Sequence, residues 1–83
     1  MDEDVLKYVK RSSYRVRTIK AIGKDFKVPK EIAHDSDILQ SHISTVLREL
    51  REKDLVKCLN PRSRKGRLYI LTEDGLEILD KLE

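Results

Sequence analysis

The stretch NPRSRKGRL, residues 60–68, carries Arg62, Arg64, Lys65 and Arg67 and no acidic residue. Like charges held this close repel one another, so the arrangement makes sense only where an anion is the partner. Pro61 and Gly66 near its ends are turn residues, and LVKCL before it and RLYIL after it are rich in strand formers. The pattern predicts a β-hairpin with a cationic tip that also exposes Ser63. Upstream, QSHISTVLR holds a second set of groups able to bind: Gln40, Ser41, His42, Ser44, Thr45 and Arg48. Ile43, Val46, Leu47 and Leu50 recur at helical spacing and define a buried face. At about 100° per residue, Ser41, Thr45, Arg48 and Glu52 point away from that face, with His42, Ser44 and Arg51 on its flanks. Small hydroxyls let a helix lie close to base edges, and an arginine beyond them can grip a phosphate or pair with guanine through two hydrogen bonds. Glu52 lies a turn later, where phosphate repels it, so the C-terminal end of this helix is expected to lift away. For His42, contact with a base or phosphate and a solvent-exposed or packing role are equally open readings.

Other chemistries find no support. His34, Asp35 and Ser36 are chain neighbours, and adjacency alone does not give the geometry of a catalytic triad. His34 and His42 lack cysteine or carboxylate company at ligand spacing, and Cys58 is the one cysteine. Gly23, Gly66 and Gly75 are isolated, so no glycine-rich loop cradles a phosphate. The expectation is a binding module, not an enzyme, with no cofactor, no metal and no pocket for a small-molecule ligand.

Charge distribution identifies the partner class. Charged residues make up 40% of the 83-residue chain, yet the net charge is only +3. Residues 5–34 hold nine cations against two acids, and residues 56–70 hold five cations and no acid. The acids gather at the two ends and in the middle. A molecule with a cationic face attracts a polyanion, either nucleic acid or an anionic membrane. No apolar run is long enough to span a membrane, and the acidic N-terminus is unlike a signal peptide, so a cytoplasmic location is expected.

The elements that must position these groups follow from local signals. DEDVLKYVK predicts a short helix with Val5, Leu6 and Val9 on one face, and SSYRVRTIKAIGK a second, capped by Ser12 or Ser13 and ended by Gly23. DFKV is long enough for a single β-pairing at most. Pro29 opens a short helix over PKEIAHDS, and the helix of residues 39–53 follows, with Asp37 and Gln40 at capping-box spacing. After the hairpin, Thr72 caps a last helix whose stripe is Leu76, Leu79 and Leu82. Two short helices, a tight turn between them and a hairpin behind them make a mainly α chain with a small β-hairpin (α+β): a winged helix-turn-helix, one domain over residues 1–83.

From PKEIAHDS through SHISTVLRELREKDLV to GRLYILTEDG, the chain resembles the winged helix-turn-helix transcription regulators of prokaryotes, archaeal ones in particular. The likeness covers residues 12–82. It implies sequence-specific binding of double-stranded DNA, with the helix of residues 39–53 in the major groove and the wing of residues 60–67 on the backbone or minor groove. Ser41, His42, Ser44, Thr45 and Arg48 fall where such regulators touch DNA, and Arg62, Ser63, Arg64 and Lys65 fall at the wing tip. Lys30, at the start of the first short helix, adds a phosphate contact. The chain departs from the pattern at Asp54 and Asp37, where glycine is frequent, and at Val28, which cannot cap a helix. A protein-interaction winged helix is the rival reading, disfavoured by the acid-free wing. The apolar stripes of the terminal helices (Val5, Leu6, Val9, Leu76, Leu79 and Leu82, with Ile78) predict a homodimer.

Overall fold

The computed structural model describes residues 3–83. The elements are α1 (Glu3–Lys10), α2 (Ser13–Ile22), β1 (Phe26–Lys27), α3 (Pro29–Ser36), α4 (Gln40–Glu52), β2 (Val56–Cys58), β3 (Tyr69–Leu71) and α5 (Glu73–Leu82). Asp2, read from sequence as the start of the first helix, lies outside the described residues. Among the described residues no helix is long and apolar enough to cross a membrane.

The first two helices are separate. Ser12 is extended between them (φ −126°, ψ 118°), and its hydroxyl accepts a hydrogen bond from the Arg15 N–H at 3.4 Å. At the other end of α2, Gly23 takes φ 58° and donates its N–H to the Ile19 carbonyl at 3.0 Å. The hairpin is part of a three-stranded antiparallel sheet with β3 in the middle, because β1 pairs with its other edge. Phe26 faces Ile70 and Lys27 faces Tyr69, while Cys58 faces Tyr69 from β2.

Pro29 occupies the first position of α3, as expected. Val28 offers no capping side chain, and the Glu31 carboxylate accepts the Val28 N–H instead, at 3.3 Å. The capping box expected of Asp37 and Gln40 does not form. Asp37 adopts the left-handed conformation (φ 58°) and closes α3 rather than opening α4. Arg17 locks that corner, donating to the carbonyls of Ser36 at 3.0 Å and Asp37 at 2.6 Å. Helix α4 therefore begins at Gln40 with Leu39 as its N-cap and no side-chain cap, forgoing about 1 kcal/mol.

Asp54 also takes φ 59° at the end of α4, where Leu55 donates back to the Leu50 carbonyl at 2.9 Å. A Cβ is strained there. Asp54→Gly is expected to stabilise the fold by about 0.5–1 kcal/mol, read as a rise of a few degrees in thermal unfolding.

The core gathers Ile19 and Ile22 of α2, Ile32 of α3, Ile43 and Leu50 of α4, Leu55, and Ile78 of α5. It also takes residues expected at a dimer interface. Val9 and Ile78 are fully buried and Leu79 nearly so, because α1 and α5 fold back onto their own chain. Leu76, read as part of the same stripe, instead faces solvent at 38% exposure. Val5, Leu6 and Leu82 are half-buried against the core. The apolar surface left over is thus smaller than the stripes predict, and Val9 and Leu79 contribute nothing to it.

Candidate nucleic-acid interface

Two adjoining clefts join the wing to the helix-turn-helix. One, of about 250 Å³, is lined by Ser44, Arg48 and Arg51 of α4 together with Pro29, Arg67 and Tyr69. The other, of about 400 Å³, brings Lys30 and Gln40 against Arg64, Lys65, Gly66 and Arg67. Pro29 and Arg67 line both. The cationic tip of the hairpin, the first turn of α3 and one face of α4, from Gln40 to Arg51, therefore share one surface. Ser41 and Thr45 are exposed on the same helix, consistent with their phase about the axis opposite buried Ile43, Val46, Leu47 and Leu50.

The wing loop is internally braced. Asn60 spans it: its Oδ1 accepts the Leu68 N–H at 2.7 Å, and its Nδ2 donates to the Gly66 carbonyl at 3.1 Å. The Ser63 N–H returns to the Asn60 carbonyl at 3.0 Å, and Gly66 takes φ 64° to complete the turn. Two residues expected at the tip serve this scaffold. The Ser63 hydroxyl donates to the Lys65 carbonyl, and Arg67 Nε donates to the Ser63 carbonyl at 2.8 Å. Arg62, Arg64 and Lys65 are exposed, and none is ion-paired among the described residues. Asn60 was not singled out from sequence as a functional residue, although asparagine before proline is a turn signal.

The polar residues of α4 divide between its flanks. Arg48 Nε lies 3.8 Å from Glu52 Oε1, with both side chains about two-thirds exposed (64% and 69%). Such a pair contributes a few tenths of a kcal/mol, so Arg48 is held loosely and stays available. His42 is exposed, its ring tilted 57° against Tyr14 of α2 at 5.8 Å. Of its two readings, the packing one has a partner in the structure, and His42 lines neither cleft.

Much of the N-terminal basic block serves the fold rather than the clefts. Arg15 reaches Glu49 on α4 at 3.4 Å, donates to the Tyr8 carbonyl at 2.8 Å and stacks 3.7 Å over the Tyr8 ring. Lys27 ties β1 to α3 through Asp35 at 2.8 Å and also donates to the Ala21 carbonyl. The hydrogen bond from the Lys27 ammonium, with help from His34, holds the Asp35 carboxyl below its ordinary range. Among the described residues no group of three or more histidine, cysteine, aspartate or glutamate side chains is arranged to hold a metal ion.

No protein-family model matches this sequence, and no curated protein matches it. Solved structures do. A MarR family transcriptional regulator from Silicibacter pomeroyi superposes with a TM-score of 0.77 at 21% identity, over 95% of this chain and 52% of that one. Lactococcus lactis ZitR, solved in complex with DNA, gives 0.75 at 18% identity, over 86% of this chain and 49% of that one. NadR in complex with 4-hydroxyphenylacetate gives 0.75 at 20%, over 96% of this chain and 58% of that one. The present chain thus spans about half the length of these neighbours. The fold is a winged helix-turn-helix.

Proposed function

We propose that this chain binds double-stranded DNA sequence-specifically as a cytoplasmic transcription regulator. One observation carries the reading: cations of the wing and polar residues of α4 line two adjoining clefts on a single surface. In this arrangement α4 enters the major groove with Gln40, Ser41, Ser44, Thr45 and Arg48 toward the base edges. His42 lies at the margin of the same helix. Arg62, Arg64, Lys65 and Arg67 run along the phosphates, with Ser63 at the loop tip, and Lys30 grips the strand near α3. Phosphate contacts fix register and affinity, while the helix chooses the sequence. One structural neighbour, ZitR, is solved in complex with DNA, which supports DNA as the partner. A homodimer belongs to this proposal, formed through the apolar surface that Val5, Leu6, Leu76 and Leu82 leave accessible. A two-fold pairing spaces two recognition helices about 34 Å apart, one turn of DNA.

Selection of bound duplexes from a random pool tests both parts. The expected product is an inverted repeat with half-sites about 10 base pairs apart. A lone half-site rejects the dimer, and a pool with no enrichment rejects DNA reading altogether. In the same selection Arg48→Ala is expected to relax the preference at one base pair per half-site by about 1–3 kcal/mol, roughly 5- to 150-fold.

A further inference from the structure

A single exposed leucine is ordinary on a protein surface. Leu39 is set apart by the position it holds. It is the N-cap of the helix proposed to read DNA, and it is 70% exposed, more than any other large apolar residue described. Serine, threonine, aspartate or asparagine at that position would satisfy a free N–H of the first turn. Two other helices of this chain do so, with Ser12 on α2 and Thr72 on α5. Leucine gives up that bond and leaves its own side chain in water. The start of α4 is secured otherwise: Ile38 and Ile43, at the positions of a hydrophobic staple, are both buried in the core. Leu39 therefore stabilises neither the cap nor the core.

Its neighbours limit what can cover it. Gln40, the next residue, lines the cleft with Lys30, Arg64 and Lys65. A second copy of so cationic a surface is repelled, whereas a duplex is attracted. The N-terminal end of a recognition helix is the part that meets base edges. On those edges in the major groove the apolar group is the C5-methyl of thymine.

We propose that Leu39 packs on a thymine C5-methyl and sets a preference for thymine at one position of the recognised site. The inference rests on the DNA-binding reading. Deoxyuridine differs from thymidine only by that methyl, so it isolates the contact. Each thymine of the selected duplex is replaced in turn by uracil and binding is measured with the wild-type chain and with Leu39→Ser. The wild type is expected to lose about 4-fold in affinity at one position, the effect of one buried methyl. Leu39→Ser is expected to bind the two duplexes equally at that position, while its unfolding temperature rises by about 4 °C from the restored cap. Wild-type binding that no uracil weakens overturns the inference and leaves DNA binding standing. A uracil effect that survives in Leu39→Ser also overturns it, assigning the methyl to another residue. A chain that binds no duplex overturns both readings.

Discussion

Gly75→Ala is expected to lower the unfolding temperature by roughly 15 °C. The usual sign is the reverse, since alanine in a helix is favoured over glycine by about 1 kcal/mol. Here a Cβ would sit 2.1 Å from the Leu55 carbonyl oxygen and 3.1 Å from the Leu71 Cβ. The nearest atom belongs to the backbone and cannot rotate aside. That carbonyl is also engaged, accepting the Thr72 N–H at 3.0 Å. Thr72 in turn caps α5 through the Gly75 N–H at 3.1 Å and donates its hydroxyl to the Asp54 carbonyl at 2.6 Å. The first turn of α5, the end of α4 and the start of β2 thus converge where glycine alone fits. Relief of the clash requires α5 to lift from the sheet, which disrupts both hydrogen bonds from Thr72 to the Asp54 and Leu55 carbonyls. Overpacking of this kind costs about 3 kcal/mol, and calorimetry on the purified variant measures it directly. An unchanged or raised unfolding temperature would show that α5 does not lie against Leu55 in this way. The same corner fixes the base of the wing, so the variant is expected to lose DNA binding in proportion to its unfolded fraction.

Gly75 was visible in the sequence only as one isolated glycine among three, because the atom that forbids a side chain lies 20 residues earlier in the chain. The elements that were legible share the opposite property: their signals are local. The stripe of Ile43, Val46, Leu47 and Leu50 dictates α4 by period alone, and the hairpin follows from strand formers on both sides of a proline–glycine turn. Thr72 caps α5 as its position before Glu73 and Asp74 implies. Asp37 is ambiguous in sequence because aspartate suits both an N-cap and a left-handed turn. Arg17, reaching over from α2, holds the second alternative in place. Val9 and Leu79 are ambiguous in the same way, because a helical stripe says that a face is buried without saying against what. The cationic blocks divided on the same ground. Arg15, Arg17 and Lys27 found carbonyls and carboxylates on distant elements, whereas Arg62, Arg64 and Lys65 lie at a hairpin tip that no other element covers. Position in the fold, not residue type, separates the cations that hold the protein together from those left for a ligand.

The double variant Arg64→Ala, Lys65→Ala is expected to weaken duplex binding about 10- to 100-fold near 0.1 M salt, and to reduce the slope of log affinity against log salt by about two. Both side chains line the cleft with Lys30 and Gln40, and neither makes an ion pair that holds the loop. The brace of the loop runs through Asn60, Ser63 and Arg67 instead, so the truncated wing keeps its shape. Lys65 does accept the Ser63 hydroxyl, but through its backbone carbonyl, which alanine retains. An unfolding temperature that does not fall is therefore part of the prediction, and it confines the effect to lost phosphate contacts. Arg67→Ala would be a poorer probe, because it removes a loop contact and a cation together. The salt slope decides between a working wing and a merely solvated one. Each phosphate neutralised releases close to one counterion, so two lost contacts must appear as two units of slope whatever the sequence of the duplex. Equal weakening across matched and mismatched duplexes would assign these cations to affinity and leave base choice to α4. Weakening confined to the matched duplex would move part of the reading into the wing, through an arginine in a narrow minor groove. A slope and an affinity both unchanged would remove the wing from the interface, and with it the explanation for an acid-free run of cations that repel one another in the free protein.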